Sequence, residues 1–272
     1  MRDPFDVKIC RAAAEKLFGR AFASFKEVRG GNTSQNFVAA LGDERWFVKV
    51  GHPKRVQLTV SRHLAVKSAL VPKIAMDGRI GSCEGRAVCA EEWFEGIFHV
   101  DPADLTSDQV NELVQAYRAF LTAAKAVKDA KDYGDVKGSE ADGTLSVIHG
   151  DLNFRNVAFK GGHVLAILDL ESMRLGYPTE DLLEFVVHEM ERTRIWFRRR
   201  LHKLERSLAE LVRASGYTCK AWLAAVDIYV TRKQAKRQSK ARFPLLKSLE
   251  FRLRAPLYAT IRRIIEREAL PC

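Results

Sequence analysis

The sequence predicts an α+β chain in two lobes, a β-rich N-terminal lobe over 1–95 and a mainly α-helical C-terminal lobe over 96–272. Three observations carry this expectation. The first hundred residues break into short apolar stretches separated by polar, glycine-bearing turns. Composition shifts at Glu95-Gly96, after which apolar residues recur at helical spacing. The 272 residues exceed the ~150 of a typical domain. Hydrophobic residues at 47% and charged residues at 29% exclude a disordered or collagen-like chain.

Taken in order, Ala12–Phe18 reads as the end of a short amphipathic helix stopped by Gly19. Phe22 to Ala40 reads as two strands joined by the polar loop RGGNTSQN, and WFVKV after Gly42-Asp43 as a third strand holding Lys49. A helical stretch follows near Val56–Ala69, then two further strands in VPKIAMDG and RAVCAEEWF. Thr106 and Gln109 form a capping box, and Val110, Leu113, Val114, Tyr117, Phe120 and Leu121 repeat at helical spacing behind it. Ala130–Gly143 reads as a surface loop. From Thr179 the pattern is helical to the end, with Phe197, Leu201, Leu204, Leu208 and Leu211 on one face. No apolar run approaches the roughly 18 residues of a spanning helix, and MRDPFDVKIC lacks the pattern of a signal peptide. Cys10, Cys83, Cys89, Cys219 and Cys272 have neither zinc nor redox spacing. These features lead us to expect reduced thiols in a cytoplasmic protein.

The chemistry concentrates in VIHGDLNFRNVAFKGGHVLAILDLESMRLGYPTED, residues 147–181. Val147 and Ile148 deliver His149-Gly150-Asp151 into a loop, and VAF and HVLAILDL read as strands flanking Lys160-Gly161-Gly162. That arrangement places Asp151, Asn156 and Asp169 at the ends of adjacent short strands, where three oxygen-bearing side chains can converge, and a hard cation such as Mg²⁺ takes oxygen ligands. HGDLNFRN, LDLE and GYPTED in this order, with 18 residues from Asp151 to Asp169 and 12 from Asp169 to Asp181, resemble the aminoglycoside phosphotransferase and choline kinase-like family. That resemblance implies a protein kinase-like fold and phosphoryl transfer from ATP with Mg²⁺. It implies that Asp151 orients or deprotonates the acceptor hydroxyl, and that Asn156 and Asp169 bind Mg²⁺ on the nucleotide phosphates. His149 would hold the loop together and Asp181 would anchor it from the next helix. Glu171 is either a further acid near the metal or structural. Arg155 either supplies positive charge to the γ-phosphate or is a loop residue.

On the nucleotide side, the resemblance implies that the hairpin loop Gly30-Gly31-Asn32-Thr33-Ser34 brings backbone N–H groups to phosphate. Lys49 would contact the α- and β-phosphates as a point charge. The backbone at Glu92, Trp93 and Phe94 resembles the adenine-binding hinge, although both aromatics would also suit a core. One departure stands out. Kinase-like enzymes pair the strand lysine with a glutamate on the following helix, and no Asp or Glu occurs between Gly51 and Met76. Lys49 then pairs elsewhere, or a metal-site carboxylate substitutes, or nucleotide binding is weakened as in a pseudokinase.

The net charge of +11 is unevenly spread. Glu191 to Cys272 holds 21 Lys and Arg against 7 Asp and Glu, or +14, leaving −3 for the first 190 residues. A polycationic acceptor such as an aminoglycoside or choline needs a carboxylate-rich pocket. The charge fits an anionic or sugar acceptor better, including a lipopolysaccharide-type or other membrane-associated saccharide. A basic C-terminal third also suits a peripheral anionic membrane surface, where each Lys or Arg contributes roughly 1 kcal/mol. Nucleic acid is the weaker reading, since RKQAKRQSKAR sits in no recognised nucleic-acid motif. Two alternatives stay open: a regulatory pseudokinase, and an aminoglycoside- or choline-type kinase with a locally acidic pocket.

Overall fold

A computed structural model describes residues 6–28, 34–128, 145–193, 197–239 and 244–271. The chain divides into two compact units, one running to Ile97 and including Ala166–Glu171, the other comprising Phe98–Leu165 and the remainder from Ser172.

The first unit is built on a five-stranded antiparallel sheet. Helix α1 (Val7–Phe18) ends where Gly19 turns left-handed at φ 66°, as the sequence predicts. Strands β1 (Ser24–Val28), β2 (Ser34–Leu41), β3 (Glu44–Gly51), β4 (Gly81–Cys83) and β5 (Arg86–Glu92) follow, in the spatial order β1-β2-β3-β5-β4. Strand alternation sorts the two faces. Val48 and Val50 of β3, with Val88 and Ala90 of β5, pack against Cys10, Ala14 and Phe18 of α1. Ala87 and Cys89 turn the other way, onto Val56 and Val60 of helix α2 (Pro53–Ala65). Lys49, paired in register with Cys89, lies at the odd-numbered parity of that second face.

Two expectations here need correction. Helix α2 ends at Ala65, four residues early, because Val66 leaves the helical region at ψ 85° while its N–H still donates to the Arg62 carbonyl at 2.8 Å. VPKIAMDG is not a strand. Pro72 cannot donate to a ladder, Ile74 makes one bridge to Glu91, and Met76 and Asp77 turn left-handed at φ 52° and 53°.

The second unit is mainly helical: α3 (Ser107–Ala124), α4 (Pro178–Arg192), α5 (Arg198–Ser215), α6 (Cys219–Ser239) and α7 (Pro244–Glu268). The capping box at α3 is present, the Gln109 N–H donating to Thr106 Oγ1 at 3.2 Å and the Thr106 N–H to Gln109 Oε1 at 3.0 Å. Two short ribbons complete the unit. Strand β6 (Ser146–Ile148) pairs with β9 (Arg174–Gly176), and β7 (Val157–Lys160) with β8 (His163–Ile167) through Gly161 and Gly162, both at positive φ. The core gathers Leu113, Tyr117 and Phe120 of α3, Phe185 of α4, Leu204, Leu208 and Leu211 of α5 and Trp222 of α6. Phe197 does not join the expected α5 face. It precedes the helix at the N-cap and is 58% exposed. The expected loop at Ala130–Gly143 lies outside the described residues.

Candidate active site

In the first unit, Lys49 meets a carboxylate that the helix could not provide. Its ammonium lies 2.9 Å from Glu91 Oε1 and 3.6 Å from Asp169 Oδ1. Glu91 sits on β5, opposite Phe47 and diagonal to Lys49. On the other side of Glu91, His63 of α2 places Nε2 3.7 Å from Oε2, while His63 Nδ1 bonds the Thr59 carbonyl at 2.8 Å. Burial favours the neutral form of both partners. Glu91 and then Asp169 outweigh it, holding the Lys49 ammonium above the ordinary lysine value, and Lys49 and His63 hold Glu91 below the ordinary carboxylate value. Between them Cys89 is inert, its thiol pushed up to about 12 by burial and then by Glu91.

Asp169 has a strained backbone, φ 62° in a non-glycine residue. What holds it there is Arg62. This buried arginine of α2 donates to the carbonyls of Leu170, at 2.8 Å, and Glu171. Glu171 itself pairs with Arg55 at 3.0 Å, so its carboxylate has a structural partner.

In the second unit, β6 runs into His149-Gly150-Asp151, and Asp181 of α4 fixes this loop. Its Oδ2 accepts the His149 N–H at 2.6 Å and the Tyr117 hydroxyl at 2.7 Å, and its Oδ1 accepts the Gly150 N–H at 2.8 Å. Gly150 has φ 80°, and a Cβ there would lie 2.2 Å from the Ser172 carbonyl oxygen, so no other residue fits. His149 is fully buried, and its Nδ1 accepts the Asp151 N–H at 3.3 Å. The Asp151 carboxylate takes no hydrogen-bond partner among the described residues.

The turn Phe154–Asn156 follows, capped by Asn153, whose Oδ1 accepts the Arg155 N–H at 3.0 Å. Asn153 and Asn156 both donate their amide groups to the Asp151 carbonyl, at 3.1 and 2.9 Å. Arg155 is exposed, its guanidinium 5.5 Å from the Phe154 ring centroid, and among the described residues it has no ion-pair partner.

Of the remaining predicted residues, Gly30, Gly31, Asn32 and Thr33 lie outside the described residues. Ser34 opens β2 and donates to Asn36 Oδ1 at 2.8 Å. Glu92 ends β5, and its N–H donates to the Lys73 carbonyl at 2.8 Å. Trp93 stacks on Phe47 and its N–H donates to Arg45, whereas the Phe94 N–H has no partner among the described residues. Glu91 was missed by sequence reasoning. Its signal was the odd-numbered parity that it shares with Cys89 in CAEE.

Taken each within its own unit, the two predicted metal ligands carry the oxygen donors that a hard cation takes. In the second unit Asn156, with Nδ2 committed to the Asp151 carbonyl, presents Oδ1. In the first, the Asp169 side chain is 45% exposed.

Residues 99–223 match the family model described as phosphotransferase enzyme family. No curated protein matches the chain. Among solved structures it is similar to aminoglycoside 2'-phosphotransferase-IIIa in its GDP complex, at 14% identity and TM-score 0.60, covering 97% of this chain and 98% of that one. It is also similar to ADP-bound aminoglycoside phosphotransferase APH(2'')-Ib, at 13% identity and TM-score 0.56, covering 96% and 99% of the two chains. A third is a thermostable mutant of aminoglycoside phosphotransferase APH(4)-Ia with ADP and hygromycin B, at 12% identity and TM-score 0.53, covering 94% and 97%. The resemblance read from the sequence and the α+β, kinase-like fold are thus borne out. The family match points to phosphoryl transfer, and the structural likenesses show the fold.

Proposed function

We propose that the chain transfers the γ-phosphate of ATP, with Mg²⁺, to a hydroxyl of a small molecule or glycan. The observation that carries this reading is the meeting of the strand lysine, Lys49, with Asp169 at 3.6 Å, two residues far apart in sequence that serve phosphate and metal in kinases. Lys49 binds the α- and β-phosphates, the Phe94 N–H and the backbone at Glu92 and Trp93 take the adenine, and Gly30 to Ser34 approach the phosphates. Asp169 and Asn156 hold Mg²⁺, which when bound neutralises charge on the phosphate oxygens. Asp151, its carboxylate uncommitted, orients the acceptor hydroxyl and accepts its proton. Arg155 places its free guanidinium on the γ-phosphate. Because phosphoryl transfer asks chiefly for positioning and charge, this small set suffices. The buried Lys49–Glu91 pair favours this reading over a pseudokinase.

For the acceptor we favour a sugar or an anionic molecule over a polycation. Helix α4, which anchors the Asp151 loop through Asp181, carries carboxylates that are mostly paired. Glu180 binds Arg174 and Arg232, Glu189 binds Arg200, and Glu191 binds Lys233 and Arg254. Glu184 has no ion-pair partner among the described residues, but burial pushes its carboxyl up to about 7, so little firmly negative surface is left there for amines. Among the described residues no helix is long and apolar enough to cross a membrane. The basic surface of the second unit would instead hold the protein peripherally at an anionic surface.

The test is thermal unfolding with ATP, with and without Mg²⁺. Ligand at 100 times its Kd adds about 2.7 kcal/mol of stability, hence a rise of several degrees in Tm. The rise should need Mg²⁺, vanish in Asp169→Ala and persist in Asp151→Asn, which should lose turnover on any acceptor the wild type phosphorylates. No shift at millimolar nucleotide would overturn the reading.

A further inference from the structure

We infer that Glu91, a strand residue, is the positioning carboxylate for Lys49, and that Lys49 is therefore held by the sheet itself and not by the neighbouring helix. The inference deepens the proposed function and rests on Lys49 serving the nucleotide phosphates.

Four observations converge. Helix α2 offers no acid, since its sequence PKRVQLTVSRHLA contains neither Asp nor Glu. Glu91 fills the role at 2.9 Å from a side chain that is itself nearly buried, and only 3% of Glu91 is exposed. The two residues sit on adjacent hydrogen-bonded strands in fixed register, Phe47 opposite Glu91 and Lys49 opposite Cys89. On the side of α2, His63 meets the far oxygen of Glu91, Oε2, at 3.7 Å, while Lys49 meets Oε1.

A purely structural role explains this poorly. Isolated buried ion pairs rarely add stability over apolar residues of the same volume, so a buried glutamate needs another reason to be there. Asp169 holds the ammonium less closely, at 3.6 Å, from a side chain that is 45% exposed. The geometry also changes how the site is controlled. In protein kinases the lysine's partner rides on a helix, and moving that helix switches the enzyme. Here both partners belong to one sheet, whose ladder sets their separation. The sheet thus sets the Lys49–Glu91 separation, while α2 reaches the far oxygen of Glu91 through His63.

The experiment has two readouts. The first is calorimetric binding of Mg·ATP and of adenosine to wild type, Glu91→Gln, Lys49→Met, the double variant, and the transposed variant His63→Glu/Glu91→Gln. We expect Glu91→Gln to weaken Mg·ATP about tenfold or more while leaving adenosine unchanged. It should add nothing in the Lys49→Met background, and the transposed variant, with its carboxylate on the helix, should recover part of the loss. The second readout needs no nucleotide: the rate of Lys49 acylation, followed by mass spectrometry. It should be slow in the wild type and faster in Glu91→Gln, with exposed lysines unchanged. Unaltered acylation of Lys49 in Glu91→Gln would overturn the inference, as would equal losses with and without Lys49. Should the wild type bind no nucleotide, the proposed function fails, and the acylation rates still decide the role of Glu91. If Glu91→Gln does not fold, Glu91→Asp serves instead: its shorter side chain draws the carboxylate back from the ammonium, so Mg·ATP binding should weaken and Lys49 acylation should quicken, and no change in either would overturn the inference.

Discussion

Glu184 shows how one side chain takes its properties from neighbours on several elements. It lies one turn beyond Asp181 on α4. Burial pushes its carboxyl up to about 7, and the charges of Asp181 and Asp151 add to this, while Lys233 of α6 and Arg174 of β9 oppose it. Among the described residues it makes no hydrogen bond or ion pair. A carboxyl raised above its unfolded value of 4.5 binds its proton more tightly in the folded chain. Its contribution is therefore complete below pH 4.5 and is lost as pH climbs through 7. The full window is worth about 3 kcal/mol, from 1.36 kcal/mol per pH unit. Urea unfolding at pH 5 and pH 8 should show the wild type losing more stability than Glu184→Gln over this interval. Equal losses in both proteins would mean that the carboxyl is charged throughout. Asp181 beside it is a contrasting case: three donors fix it in place, and it shapes the Asp151 loop.

At the scale of elements, α2 is tied to the Asp169 segment more firmly than to Lys49. Its Arg62 is buried and satisfies two backbone carbonyls immediately after Asp169. A non-glycine residue in the left-handed region costs of order 1–3 kcal/mol, which such tertiary bonds must offset. Arg62→Met keeps the apolar stem and removes both bonds. It should lower stability by about 2–4 kcal/mol, as the loss of a buried charge-assisted pair of bonds would. It should also raise the Mg²⁺ concentration needed for nucleotide binding, without changing adenosine binding. Normal Mg²⁺ dependence in a destabilised variant would reduce Arg62 to a packing residue. This element also marks the limits of sequence reading. The helix, apart from its ends, and its lack of acids were legible, because helical pattern and composition are local. The bonds from Arg62 to Leu170 and Glu171, and from Lys49 to Glu91, were not, because they depend on which segments the fold brings together. The same limit explains VPKIAMDG, where apolar composition suggested a strand but Pro72 and two left-handed residues prevented a ladder. By contrast, the loop around Asp151 was legible because HGDLNFRN, LDLE and GYPTED in this order carry a family resemblance, which implied that His149 holds the loop and Asp181 anchors it.

For the whole molecule, the charge asymmetry survives folding. Several basic residues of the last third are paired: Arg200 with Asp101 and Glu189, Lys203 with Asp104, Arg213 with Glu268, and Arg232 with Glu180. Arg198, Arg199, Arg206 and Lys220 are exposed, and none has an acidic partner among the described residues. Arg198 and Arg199 stand in the first turn of α5, where the helix dipole disfavours cations, and exposed Phe197 precedes them. Local energetics give no reason for this placement, whereas an anionic surface would relieve the repulsion and shelter the ring. Each cation at such a surface contributes roughly 1 kcal/mol. The attraction should fade as the screening length falls from about 10 Å at 0.1 M salt to about 3 Å at 1 M. Vesicles containing anionic lipid should therefore sediment the protein at low salt and release it at high salt, and the double variant Arg198→Ser/Arg199→Ser should bind about tenfold less tightly. Failure to bind at low salt would remove the membrane from the proposal and leave a soluble acceptor. Competition by an anionic oligosaccharide would instead assign the basic surface to the acceptor, because lipid and glycan would then be drawing on the same uncompensated arginines.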